Sequence, residues 1–435
     1  MRLLVVTPEY LPTSGGGIVT FYRHLLPALV RAGVEVTVLV GSAVSQPGGR
    51  RMADGITVLG LESARFEAWR ARWPQWGIAP PVARHLAAAW ALHEKAATLG
   101  SFDAIEAADW GLLALPFVLD PLGPLQVRCH GSAAQIARHE GDPSLLPLDA
   151  LLLAIERSVF ARASAVVSYG ARNAGEWTRW LGRPCAHREP ALPLPRDRAR
   201  ASARHWLVLA RIQRWKGPHV LAAALSRMAT PPPVRWVGRD VPDAVAGSTS
   251  TRAALCAAWP QWPAWVEHAD TVDADTAQDA VRAARGVMVP STWDVFNFAG
   301  AEAMAAGAVV VASDGAGMAA WIGGRDEGFR VPADDPRALA EALAEADALP
   351  ADARARMGEA ARARVGALAD PDAVAAREAA ALRALGAPLA GDDPLDDLLR
   401  GRGGQPSIDA LLAQHPLREI LCHAARRVRG RWGRG

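Results

Sequence analysis

The sequence predicts two doubly wound α/β units joined by a linker and followed by C-terminal helices. Three observations carry this prediction. Short apolar, β-branched runs alternate with stretches of helical periodicity. The alternation breaks over residues 183–204, where four prolines and a cluster of charges intervene, and then restarts. The length of 435 residues suits two domains at roughly 100–200 residues each.

In the first half, strands are expected at Met1–Pro8, Val34–Val40, Ala104–Ala107, Pro124–Cys129 and Ala165–Tyr169. Phe21, Leu25, Leu26, Leu29 and Val30 recur at helical spacing over Val19–Val30, and Gly33 stops that helix. Further helices are expected around Leu151–Phe160 and Ala171–Leu181. In the second half, strands are expected at Trp206–Ala210, Val234–Gly238, Trp265–His268, Val287–Pro290 and Ala308–Ala312. Helices are expected at Gly217–Met228, Thr251–Ala258, Thr276–Ala284 and Ala299–Ala306, with helical pattern again from Pro336 to about Leu385. The resulting domains are residues 1–195 and 203–365. A helix over 366–390 returns toward the first domain, and an Arg-rich extension covers 391–435.

Composition narrows the function. Half the residues are hydrophobic and 21% are charged, which argues for a sizeable core and against disorder. Forty-eight Lys and Arg against 45 Asp and Glu give +3, too little field to mark nucleic acid as a partner. No apolar run reaches the ~20 residues that span a bilayer. The opening MRLLVVTPEYLP reads as a buried strand, because Glu9 and Pro12 interrupt it too early for a signal peptide. Cys129, Cys185, Cys256 and Cys422 are scattered, which fits reduced thiols in a cytoplasm and offers no metal cage. The basic tail is a solvated terminal helix or a peripheral contact with an anionic membrane surface. Lysine occurs twice, at Lys95 and Lys216, so a lysine that persists among so many arginines invites a chemical reason.

Four segments carry candidate chemistry. Gly15, Gly16 and Gly17 lie between the first strand and the first helix, where they serve either a phosphate or a plain tight turn. Arg211 and Lys216 flank the end of the strand opening the second half, where two cations can neutralise a diphosphate or merely be solvated. In PSTWDVFNFAGAEAMAAG, Asp294 lies in the loop after a strand and Glu302 on the Ala-rich helix that follows. Glu302 fits a ribose diol and the amides near Phe298 and Ala299 suit anionic oxygens. The plain alternatives are a solvated Glu302 and an Asp294 helix cap. The Trp- and Arg-rich residues 66–77 are either an acceptor-binding loop or a partly buried helix. Trp259, Trp262 and Trp265 read as core, and the pairs Asp273–Asp275 and Asp370–Asp372 as helix caps.

These segments resemble the family 4 glycosyltransferases of the GT-B fold, with the motifs in order from Met1 to about Leu349. The family's P-S-x-x-E-G-F-G-x-x-x-x-E-A-M-A-x-G reads here from Pro290 through Asp294, Phe296 and Asn297 to Glu302 and Gly307. Its G-R-x-x-x-x-K-G reads Ala210 to Gly217. Gly15–Gly17, the acidic strand end Glu106–Asp109 and His130 match its N-terminal features.

The resemblance implies two Rossmann-like domains facing across a cleft, the first binding the acceptor and the second the nucleotide-sugar. It also implies transfer with retention of configuration and no metal or other cofactor. Arg211 and Lys216 would hold the diphosphate and Glu302 the ribose. Asp294 and the backbone of Phe296, Asn297, Phe298 and Ala299 would grip the sugar. Gly16 and Gly17 would lie near the diphosphate, and His130 would contact sugar or acceptor. Asp109 is a candidate for orienting the acceptor. The base, of UDP or GDP type, would lie against Val237–Arg239 and Ala269–Val272. The acceptor would be a sugar, a lipid-linked group or a secondary metabolite, in the cytoplasm or at the inner membrane face.

The chain departs from the family at Asp294, Val295, Asn297 and Ala210, and in lacking a Glu after Gly315. These departures leave open a catalytically degenerate binding or scaffold subunit.

Overall fold

The computed structural model describes residues 1–12, 16–73, 79–140, 146–391, 393 and 396–400. Gly15, Cys422 and nearly all of the Arg-rich extension therefore lie outside the described residues. The described chain divides into two compact units. The first contains residues up to Ser168, Ala174–His187, and the chain from Ala375 on. The second contains Tyr169–Asn173 and Arg188–Val374.

The first unit is built on β1 (Arg2–Thr7), β2 (Glu35–Val40), β3 (Arg50–Ala53), β4 (Ile56–Gly60), β5 (Ala104–Ala108), β6 (Leu125–Cys129), β7 (Ala165–Ser168) and β8 (Ala186–His187). Their order in the sheet is β3-β4-β2-β1-β5-β6-β7-β8, and all pairings are parallel except β3 with β4. The central strands read as unbroken apolar runs because helices cover the sheet; Leu3–Val6 are at most 1% exposed. Chain direction across the sheet reverses at β1, whose neighbours are β2 and β5.

The second unit has β9 (Trp206–Leu209), β10 (Val234–Val237), β11 (Val266–Ala269), β12 (Gly286–Val289), β13 (Val310–Ser313) and β14 (Phe329–Val331). The order is β11-β10-β9-β12-β13-β14, entirely parallel. Successive strands step outward from β9 to β11, then return to the other side of β9 with β12. This switch point, between β9 and β12, is where open α/β sheets bind ligands beyond the strand carboxyl ends.

Most expected elements form within a residue or two of their reading. Ala171–Leu181 and Thr251–Ala258 are helices, and the first helix runs Gly17–Arg31. The pattern after Pro336 resolves into helices Pro336–Ala348, Ala351–Ala369 and Pro371–Arg383. Strands β3 and β4 and the helix Pro80–Ala97 were not anticipated. In that helix Leu86 to Leu92 are all buried, so no polar face marks the helical period.

Within the Trp-rich stretch, Ser63–Arg70 is a helix with Phe66 buried, and Trp73 is buried after it. Trp69 stacks on Trp90 with centroids 5.6 Å apart. Residues 74–77 lie outside the described residues. Trp262 is core, with Trp259 and Trp265 packed against the same cluster. Asp273 caps the helix Ala274–Ala283 by accepting from Thr276 N–H at 2.9 Å, and Asp370 accepts from Ala373 N–H at 2.9 Å. Among the described residues no helix is long and apolar enough to cross a membrane.

Candidate functional site

At the switch point of the second unit, three loops are locked together. After β9, residues Arg214–Lys216 form a single 3-10 turn closed by Gly217 in the left-handed region at φ 75°. A Cβ there would sit 1.9 Å from the Pro290 carbonyl oxygen, so glycine is needed both for the turn and for the approach of the β12 loop. The Trp215 carbonyl accepts from Thr292 N–H at 2.9 Å, and the Trp215 and Trp293 rings pack edge-on at 5.4 Å. The loop after β13 joins on the other side. Asp294 N–H donates to the Gly315 carbonyl at 2.7 Å and Gly317 N–H donates to the Asp294 carbonyl at 3.3 Å. Side chains at Gly315 and Gly317 would meet backbone oxygens of Ser291 and Val295 at 2.0 and 2.1 Å. These two glycines are site determinants that sequence reading missed; their G-x-G spacing after a strand was the available signal.

This framework presents three polar side chains as one cluster. Lys216 Nζ donates to Asp294 Oδ2 at 2.5 Å and lies 4.1 Å from the centre of the Trp215 ring. Asn297 Nδ2 donates to the same oxygen at 3.1 Å. Burial lowers the Lys216 pKa, Arg211 adds to the effect, and the Asp294 carboxylate opposes it. Arg211 itself is exposed, just past the end of β9.

The helix Phe298–Ala306 starts on Asn297, whose φ of 78° is one that Gly or Asn adopts readily. Its side-chain Oδ1 accepts from Gly300 N–H at 3.0 Å, a helix cap. Asn before an apolar helix is the ordinary capping signal, so the capping role lay in the sequence at Asn297 rather than at Asp294. The first amides of a helix lack internal partners. Gly300 N–H is met by this cap, and the remaining amides of a helix start of this kind suit an anion. Every residue of this helix is buried except Ala299 and Glu302, which are half-buried and three positions apart, hence on one face. The Phe296 and Phe298 side chains pack with Tyr169 and each other in the interior, so only their backbone is offered.

The expected base-contacting segments follow β10 and β11. A Cβ on Gly238 would lie 2.2 Å from the Ala210 carbonyl oxygen, and His268 Nε2 lies 2.8 Å from the Gly238 carbonyl oxygen. Ala210, at the family's glycine position, also accepts from Trp236 Nε1 at 2.7 Å.

In the first unit the expected residues also gather at a switch point. Gly16 precedes the helix Gly17–Arg31, and among the described residues that helix has no side-chain cap and a Cβ on Gly16 would meet nothing within 4 Å. Asp109 follows β5 and is fully buried. Its two oxygens accept from His130 N–H at 3.0 Å and Gly131 N–H at 3.1 Å. Burial outweighs those bonds and raises its pKa to about 7. The His130 ring packs on Phe21 and Tyr22, each at 5.2 Å, with Nε2 3.3 Å from the Tyr22 hydroxyl oxygen. Burial, and then the Arg128 charge, lower its pKa well below the usual value. Among the described residues no group of three His, Cys, Asp or Glu is placed to hold a metal ion.

Fold and site together define a protein of the GT-B architecture: two Rossmann-like α/β units and appended helices. Residues 203–346 match the sequence profile of the family described as Glycosyl transferases group 1. Among solved structures, the chain is similar to the sucrose-phosphate synthase (tll1590) of Thermosynechococcus elongatus. The TM-score is 0.67 and the identity 19%, over 88% of this chain and 98% of that one. It is similar to Anabaena Alr3699/HepE in complex with UDP-glucose at TM-score 0.62 and 16% identity, over 88% of this chain and 100% of that one. The α,α-trehalose 6-phosphate synthase of Burkholderia multivorans matches at 0.59 and 17%, over 88% and 96%. No curated protein matches the chain in sequence.

Proposed function

We propose that the protein is a retaining, metal-independent glycosyltransferase. It would move a hexosyl group from a nucleoside-diphosphate sugar to a hydroxyl acceptor. The observation that carries this reading is the cluster of Lys216, Asp294 and Asn297, set at the start of the helix Phe298–Ala306 at the β9/β12 switch point. Cations and helix amides together suit a diphosphate, and the acid beside them suits a sugar hydroxyl.

Arg211 and Lys216 hold the diphosphate, Glu302 accepts the ribose hydroxyls, and Asp294 with the 296–299 backbone grips the sugar. His130 and the Gly16–Gly17 turn are assigned to the transferred sugar and the acceptor, and Asp109 positions His130. In the step itself the bond from the anomeric carbon to the diphosphate oxygen breaks. A bond to the acceptor oxygen forms on the same face, and the acceptor proton passes to the departing diphosphate oxygen. The protein supplies orientation and stabilises leaving-group charge. The UDP-glucose complex of the similar HepE structure supports a uridine nucleotide. The site of action is cytoplasmic, and the basic tail is a solvated terminal segment or a peripheral contact at the inner membrane face.

The close Lys216–Asp294 pair, in which cation and acid neutralise each other, favours a second reading: a degenerate GT-B scaffold subunit. Thermal unfolding with UDP, GDP and ADP, free and as glucose conjugates, separates the two. A ligand at 100 times its Kd adds about 2.7 kcal/mol of stability. Stabilisation by one nucleotide and its loss in Lys216→Ala and Glu302→Ala support the transferase; no response to any nucleotide supports the scaffold.

A further inference from the structure

Asp294 is held in place twice over. Its backbone is pinned by the bonds to Gly315 and Gly317. Its carboxylate is then turned by two donors on one oxygen, Lys216 Nζ at 2.5 Å and Asn297 Nδ2 at 3.1 Å. Both land on Oδ2, and among the described residues Oδ1 accepts no hydrogen bond. The Asp294 side chain is 10% exposed, and Oδ1 is not among its fully buried atoms, so a ligand hydroxyl can reach it. Lys216 alone would not fix this orientation, because an ammonium is a point charge that either oxygen can satisfy. Asn297 breaks the symmetry. Its own amide is fixed at the other end by the cap to Gly300, and its backbone is set by the helix start.

We propose that Asn297 is a positioning residue for the donor sugar. By holding Asp294 Oδ2 against Lys216, it leaves Oδ1 as the single carboxylate oxygen that accepts a sugar hydroxyl. The proposal rests on the glycosyltransferase reading and assigns a specific task to a residue standing where the resembled family has glycine. The diphosphate is assigned to Arg211 and Lys216, so the effect of Asn297 on the sugar is read as the ratio of sugar-conjugate to nucleotide affinity. The ligand class it reads is a nucleoside-diphosphate hexose with a hydroxyl free to donate at that position.

Two variants separate positioning from capping. Asn297→Gly keeps the left-handed backbone without strain but removes both side-chain bonds, and a glycine cap costs only a few tenths of a kcal/mol. Asn297→Asp keeps an oxygen to cap Gly300 but cannot donate to Asp294. The full chain is titrated with UDP, GDP and ADP and with their glucose conjugates, and the ratio of conjugate to nucleotide affinity is read for each variant. A positioning role predicts that this ratio falls about three- to tenfold in both variants, the worth of one hydrogen bond. A capping role predicts that Asn297→Gly, which adds no charge and costs little as a cap, keeps the wild-type ratio, and that result overturns the proposal. So does a wild-type protein that binds a nucleotide and its glucose conjugate equally. A wild-type protein that binds no nucleotide overturns the glycosyltransferase reading as well, so the two failures are told apart.

Discussion

Lys216 and Asp294, 78 positions apart in sequence, meet at 2.5 Å with side chains only 13% and 10% exposed. The pair joins the loop after β9 to the loop after β12 and sets the charge of the candidate site. The ammonium is held against the cost of its own burial and of the nearby Arg211 by this one carboxylate. The charge of a cation so placed depends on its partner.

That dependence predicts a pH effect. Asp294 favours the charged form of Lys216, so Asp294→Asn removes the opposing influence and lets burial and Arg211 lower the Lys216 pKa further. Nucleoside-diphosphate affinity in the variant should decline at lower pH than in the wild type on the alkaline side. Titrations between about pH 7 and about 10, below the ordinary lysine pKa, give the comparison. Superimposable alkaline limbs would show that Lys216 does not bind the phosphates.

Two glycines should behave oppositely on substitution. Gly217→Ala places a Cβ into the Pro290 carbonyl and strains a left-handed residue. The expected loss is about 2 kcal/mol or more, read as a lower denaturant midpoint. Gly16→Ala meets nothing within 4 Å among the described residues, so stability should stay within about 0.5 kcal/mol. If Gly16 lies close to substrate, turnover should still fall at least about tenfold, equivalent to 1.4 kcal/mol of barrier. Full turnover in Gly16→Ala would remove that turn from the site.

The first unit contains a buried charge triad whose members should differ in cost. Arg128 Nη2 donates to Glu106 Oε2 and to Glu378 Oε2, each at 2.8 Å, with all three side chains at most 3% exposed. Arg128→Met leaves two buried carboxylates without their cation and should cost about 3–5 kcal/mol. Glu378→Gln leaves the Arg128–Glu106 pair intact and should cost clearly less. Urea unfolding of the full chain measures both, and equal costs would mean that the second carboxylate matters as much as the cation.

Asp109 should leave a signature in stability against pH. Its folded pKa, about 7, lies above the ordinary carboxyl value, so the folded state holds a proton that the unfolded chain releases. Stability from this group is therefore present at low pH and declines as pH rises from about 4 through about 7. His130, with its lowered pKa, acts in the opposite sense below about 6.5. The useful quantity is thus the difference between wild type and Asp109→Asn. That difference should shift in favour of the variant from about pH 5 to about pH 7.5. The variant also loses an acceptor for one of two backbone N–H groups, which costs about 1–3 kcal/mol at every pH. A difference independent of pH would show that Asp109 is ionised like any exposed carboxylate.

The parts of the molecule legible in sequence were those with local signatures. Apolar β-branched runs gave β1, β2, β6 and most of the second sheet, because strands of a covered parallel sheet are apolar on both faces. Where local contrast was weak the reading failed. The strand Arg50–Ala53 is short, carries two arginines and pairs only at a sheet edge, so nothing in it looked buried. The helix Pro80–Ala97 has too little polar face to show a period. In the candidate site, Lys216 stood out by its rarity and Glu302 by its apolar helix. Gly315 and Gly317 did not, because a close approach between two loops is visible only once both loops are placed.

What the sequence determined by itself was which residues could do chemistry and on which element each sits: cations at the end of β9, acids after β12, glycines before the first helix. The tertiary structure decided which of them act on one another. Lys216 joins Asp294, Asn297 turns it, Asp109 fixes the His130 backbone, and Arg128 reaches Glu378 from 250 positions away. Local periodicity is written residue by residue along the chain. A side-chain pair, by contrast, depends on strand order, register and the backbone angles of the intervening turns, which only the assembled core sets.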